Sequence, residues 1–141
     1  MKKLAVLLLA VLGVTGCATT PVSSDKAIPM PKERMLAYTE PKPDYAKVQI
    51  IRDSGNLGGA CYIGVMYRQT ILGRFDVAEK GIFYLPEGEW KFAIVPDPNG
   101  KALCGVDGFN PVFETQQIRK DQDNLFRISF GPYRRPRLLP M

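Results

Sequence analysis

From Ala46 onward, apolar side chains recur at every second position, the period of a strand with one buried face. Val48, Ile50 and Arg52 alternate with Lys47, Gln49 and Ile51, and Cys61, Ile63, Val65 and Tyr67 alternate with Tyr62, Gly64, Met66 and Arg68. Gln69-Thr70 reads as the turn into a further strand, Ile71 to Phe75. Ile82 to Leu85, the turn Pro86-Glu87-Gly88 and Glu89 to Val95 read as a hairpin, because proline presets its own backbone angle and glycine accepts a positive one. Trp90, Phe92 and Ile94 share a face of its second arm and are expected at the centre of the core. Val112 to Arg119 and Leu125 to Gly131 complete the set around a polar turn, with Phe126, Ile128 and Phe130 on one face. No stretch of this region carries a helical stripe. About seven short strands joined by Gly, Pro, Asn or Asp turns predict an all-β domain, an antiparallel β-sandwich over residues 46–131.

The first residues follow a different pattern. Met1, Lys2 and Lys3 precede an unbroken apolar run from Leu4 to Leu12, and Gly13 to Gly16 then lead to Cys17. Such a run fits the core of a signal peptide and falls short of the roughly twenty residues that a permanent membrane helix needs. Val14-Thr15-Gly16-Cys17 resembles the bacterial lipobox, which implies cleavage after residue 16 and a lipid thioether on Cys17. Two or three acyl chains there would anchor the chain firmly, at about 0.8 kcal/mol per buried methylene. Ala18 stands where an inner-membrane retention signal would show Asp, so the resemblance implies a cell-envelope protein of the outer membrane. An ordinary signal peptide with a chance cysteine is the alternative.

Between Ala18 and Tyr45 five prolines interrupt any regular structure, so residues 17–45 read as a lipidated tether. Lys32 to Tyr38 can form one or two helical turns there, with Met35 and Tyr38 as its apolar contacts. Fully extended, such a tether would reach on the order of 90 Å at 3.3 Å per residue.

Charge and cysteine content then narrow the chemistry. Once Lys2 and Lys3 leave with the signal, 17 of the 19 basic side chains remain against 14 acidic ones, and Arg134, Arg135 and Arg137 account for that excess. A near-neutral domain of this kind does not present the cationic stripe of a nucleic-acid binder, and no nucleic-acid partner is expected. The sequence contains no histidine, which removes the usual metal ligand, the commonest general base and the Ser-His or Cys-His route to a nucleophile. With Cys17 acylated, Cys61 and Cys104 form an even pair in an oxidising compartment and are expected to join as a disulfide. Two separate buried thiols are the alternative.

Three features invite a functional reading. The long connection from Pro96 to Pro111 holds Asp107, Phe109 and Asn110, and long loops on rigid scaffolds often carry a binding surface; Phe109 as a plug for one end of the sandwich is the competing reading. Residues 132–141 form a basic tail in which Arg134, Arg135 and Arg137 would meet lipid phosphates or an acidic partner. Its leucines folding back on the sandwich edge is the equal alternative. Asp97, Asn99 and Gly100 are rejected as a calcium loop, because Lys101 takes a ligand position and Gly108 stands where Glu should close the site. Glu87 with Glu89, and Asp121 with Asp123, sit at turns and read as solubility features. No metal and no cofactor is expected.

Ala46 to Arg52, Tyr67 to Gly73 and Tyr84-Leu85-Pro86-Glu87-Gly88-Glu89-Trp90 resemble a family of small bacterial lipoprotein domains of unknown function. Its pattern runs Ala-x-Val-Tyr-Ile-x-Arg, then Val-x-Val-Asp-Gly-x-x-Ile-Gly, then Leu-Pro-x-Gly-x-His, and spans about residues 35–95 here. Gln49 replaces its Tyr, Arg68-Gln69 its Asp-Gly, and Trp90 its His. Such domains are similar to PEGA and prealbumin-like modules, which implies an immunoglobulin or prealbumin-like sandwich and no catalytic residue. The expected role is a non-enzymatic interaction or structural module of the envelope, with a protein or glycan partner. An accessory subunit of a secretion or surface-assembly machine, and an inhibitor or binder of an envelope hydrolase or its glycan, are the more specific versions.

Overall fold

The alternating segments do become strands. The computed structural model describes residues 18–105, 108–132 and 135–141, so the signal segment, Cys17, Asp107 and Arg134 lie outside the described residues. Nine strands are present among the described residues, two more than the spacing suggests: β1 Ile28–Pro29, β2 Tyr45–Arg52, β3 Ile63–Tyr67, β4 Thr70–Phe75, β5 Glu79–Pro86, β6 Gly88–Pro96, β7 Glu114–Ile118, β8 Asn124–Ser129 and β9 Arg137–Pro140. Among the described residues helix is confined to two 3-10 turns, Lys32–Arg34 and Ala102–Cys104.

Two sheets pack face to face. One has the order β1-β5-β2-β8-β9 and the other β4-β3-β6-β7. The second is antiparallel throughout, whereas the first contains two parallel pairs, β1 with β5 and β2 with β8. The inward sets from the sequence fill the interior: Val48, Ile50, Val65, Tyr67, Leu72, Phe75, Phe83, Leu85, Phe92, Ile94, Phe126 and Ile128 are all buried. Trp90 packs at the margin of this core, with its ring edge-on to Tyr67.

The hairpin expected at Pro86-Glu87-Gly88 is not one. β5 and β6 belong to different sheets, so this corner carries the chain from one layer to the other. Turn chemistry specifies a reversal but not the plane in which it occurs. Phe83 and Leu85 on one arm and Phe92 and Ile94 on the other bury more surface by facing each other across the interior than they would side by side in one sheet. Gly88 adopts φ +145°, and a Cβ there would meet the Trp90 indole at 3.1 Å. That indole donates a 2.8 Å hydrogen bond to the Pro86 carbonyl and closes the corner. The hairpin that does form joins β3 and β4 through Arg68 and Gln69, one residue earlier than the turn read at Gln69-Thr70.

Residues 18–45 are not a free tether. Thr20 pairs with Ser54, β1 runs parallel to the start of β5, and Met30 is buried within the core. Ser24 donates to Gln49, and the Lys80 ammonium donates to the Ser24 carbonyl. The segment thus crosses the outer face of the five-stranded sheet, which accounts for the burial of Ile51 on the nominally exposed side of β2. Met35 and Tyr38 do pack against the core. Prolines bar helix and central strand but not an extended strap that bonds at intervals. The basic tail is likewise folded back: β9 pairs with β8, and Leu138 is buried. The described residues on both sides of 46–131 therefore pack onto the sandwich and are part of its structure.

Candidate functional site

The loops divide between two ends of the sandwich. One end gathers residues 53–62, the turn 76–78 and the segment after β6. Cys61 and Cys104 meet there in a disulfide with an S–S distance of 2.02 Å. Arg52, continuing the inward face of β2, is fully buried beneath them and donates to the carbonyls of Gly58, Cys61 and Phe75. Burial lowers its pKa from the ordinary arginine value, and the stacked ring of Phe130 lies 5.3 Å from its guanidinium carbon.

Three carboxylates at this end are each held by an arginine. Glu79 takes both terminal nitrogens of Arg34 at 2.5 Å, Asp97 accepts from Arg74 at 2.6 and 2.9 Å, and Asp53 accepts from Arg127 at 2.9 and 2.5 Å. Asp53 also accepts from the Thr19 hydroxyl at 2.6 Å. The Tyr62 ring lies against both Arg34 and Arg74, 4.5 and 4.9 Å from their guanidinium carbons. The hydrogen bond from Arg74 holds the Asp97 carboxyl below the usual aspartate range, against the opposing effect of burial. Groups paired in this way hold the loop cluster together.

Phe109 packs against the core margin and, with Phe130, Ile63 and the disulfide, lines an apolar cavity of about 220 Å³. That is the plug rather than an exposed anchor. Asn110 is exposed beside it. Arg135 and Arg137 both bond to Glu114, at 3.3 and 2.7 Å, so the structure ties these two tail cations to the start of β7.

The opposite end holds a feature that the sequence reading missed. An open hollow of about 640 Å³ is lined by Tyr38, Tyr67, Arg68, Gln69, Thr70, Lys91 and Phe113. Tyr38 meets Tyr67 edge-on at 5.2 Å between ring centroids, and the Arg68 guanidinium lies 5.3 Å from the Trp90 ring centre. Burial raises the Tyr67 phenol above its ordinary value, and Arg68 pulls it partly back. Among the described residues four non-glycines have positive φ, and Tyr38 (57°) and Arg68 (54°) are two of them. An L-residue in that region costs roughly 1–2 kcal/mol, a strain found preferentially at functional positions. The one sequence signal available was Arg68-Gln69 in place of Asp-Gly, a turn without its expected left-handed residue.

This lining offers ring faces, an amide, a hydroxyl and two cations. It suits stacking and hydrogen bonding to a ligand and includes no carboxylate. Among the described residues no group of His, Cys, Asp or Glu is placed to hold a metal ion, and no helix is long and apolar enough to cross a membrane. Comparison with protein-family models, with curated proteins and with solved structures returned no match.

Proposed function

We propose that this chain is an envelope lipoprotein, acylated on Cys17 at the outer membrane, whose sandwich is a non-enzymatic interaction module that binds its partner at the Tyr38–Arg68–Phe113 hollow. The leader and its lipobox support the anchoring. The hollow carries the binding reading: it pairs ring surface with Arg68 and Lys91, and two of its residues, Tyr38 and Arg68, hold the left-handed backbone region. The same mixture favours an anionic glycan of the envelope over an apolar protein groove, since sugar faces stack on rings while acidic groups meet guanidinium and ammonium. The disulfide end, where Phe109 and Asn110 drew attention, supports this reading as scaffold.

The test is a pull-down from detergent-solubilised envelope with the full-length protein and with an Arg68→Ala, Lys91→Ala variant. Retention of an acidic glycan by the first and its loss, by about tenfold, from the second is the expected result, since two charge-assisted contacts are removed. Equal retention by both would refute the hollow as the binding site, and a co-purifying protein without glycan would replace the glycan with a protein partner.

A further inference from the structure

The strap at the N-terminus fixes more than the edge of the sheet. Thr19 donates its amide to the Phe130 carbonyl at 2.8 Å, its hydroxyl bonds to Asp53, and the Phe130 amide donates back to that hydroxyl at 2.9 Å. Thr19 is buried, with Gly55 packed beside it. Thr19, two residues along the chain from the acylation position, is therefore fixed at the disulfide end. An acyl chain on Cys17 would then emerge beside the disulfide end, leaving no length of chain for the domain to turn over.

The surface at that exit carries exposed apolar side chains. Leu103 stands on the disulfide-held turn Ala102–Cys104 and is 89% exposed, and Leu57, on the loop between Gly55 and Gly58, is 48% exposed. Leu103 borders the apolar cavity that Phe130, the neighbour of Thr19, also lines. Around them the carboxylates of Asp53, Asp97 and Glu79 are each paired with an arginine, which removes the negative charge that anionic headgroups would repel, while Lys101 is exposed next to Leu103. Two exposed leucines, a rim in which Asp53, Asp97 and Glu79 are each paired with arginine, and a lipid attached within two residues of Thr19 make one face.

Resting on the acylation reading above, we infer that the disulfide end is the membrane-facing end of the domain: Leu103 and Leu57 seat in the acyl–headgroup boundary of the bilayer that carries the Cys17 lipid. An apolar face on this scale holds at the interface without spanning it. The hollow at Arg68 and Gln69 then points away from the membrane.

Full-length lipidated protein, reconstituted in phosphatidylethanolamine–phosphatidylglycerol vesicles with brominated acyl chains, tests this orientation. Leu103→Trp and, at the other end, Gln69→Trp each add an indole at an exposed position, and the wild-type emission of Trp90 is subtracted. The Leu103→Trp indole should lose about half of its emission relative to unbrominated vesicles, because interfacial side chains sit roughly 5–10 Å into the boundary. The Gln69→Trp indole should be unchanged. Mass spectrometry of the same samples separates the possible failures. With lipid on Cys17, absence of quenching at position 103, or equal quenching at both positions, overturns the orientation and leaves the acylation reading standing. A Cys17 without lipid removes the acylation reading and the orientation with it.

Discussion

The two ends of this sandwich are built by different means. The disulfide end is fastened by a covalent bridge, by a buried arginine spanning three carbonyls and by three arginine–carboxylate pairs. The opposite end has a one-residue corner, a two-residue hairpin turn, and aromatic rings meeting cations at an open surface. The paired charges at the first hold its loops in place. The polar groups at the second face solvent, where a ligand can reach them. An accumulation of charged residues is thus a poor guide to a binding site until their partners are known, and here the richer end is the scaffold.

That contrast can be broken most forcefully at Arg34. Its side chain is 9% exposed against 8% for Glu79, so Arg34→Ala leaves a buried carboxylate without its bidentate partner. A loss of about 3–5 kcal/mol is expected, read as a drop in the urea midpoint. A loss under 1 kcal/mol would place this end on the same footing as a solvated surface. Removing the bridge with Cys61→Ser and Cys104→Ser should cost somewhat less, about 2–4 kcal/mol for a loop whose ends are separated by 43 positions. Thermal melts with and without reductant on the wild type should agree in direction.

The sequence was most informative where a side chain's fate depended on its near neighbours. Period-two alternation located the inner faces of β2, β3, β6 and β8, and cysteine parity, on the expectation that Cys17 is acylated, identified the bridge. It was least informative where the decisive partner lay far along the chain. Arg34 and Thr19 both fell within the segment read as a tether, because the partner of the first, Glu79, is 45 residues away and the partners of the second are Asp53 and Phe130. The corner at Gly88 marks the boundary between these cases: its residues specify a reversal, while facing layers of Phe83, Leu85, Phe92 and Ile94 decide that the chain changes sheet. The hollow was invisible for the same reason, since Tyr38, Arg68, Lys91 and Phe113 come from four separate segments.

Acid should weaken the fastened end. The Asp97 pKa is lowered in the folded state chiefly by its hydrogen bond from Arg74, so its contribution is present above the ordinary value of 3.8 and is lost as pH falls through the depressed folded value. The wild type should therefore lose stability progressively below about pH 4, and Asp97→Asn should flatten that part of the profile while lowering stability near neutrality. Parallel wild-type and Asp97→Asn curves of urea midpoint against pH would show that the Arg74 pair contributes nothing.

The smallest effect on stability is expected at Arg68, and it sharpens the comparison more than the larger ones. Glycine relieves the left-handed strain at φ 54°, roughly 1–2 kcal/mol, but adds unfolded-chain entropy of about 0.4–1 kcal/mol and forfeits the contact with the Trp90 ring, worth about 0.5–1 kcal/mol. These terms nearly cancel, so Arg68→Gly should leave the urea midpoint within the equivalent of about 0.5 kcal/mol. Retention of the proposed acidic glycan should nevertheless fall with the guanidinium. A residue that is close to neutral for folding and decisive for binding is what an interaction surface requires, whereas a large loss of stability with unaltered binding would return Arg68 to the scaffold.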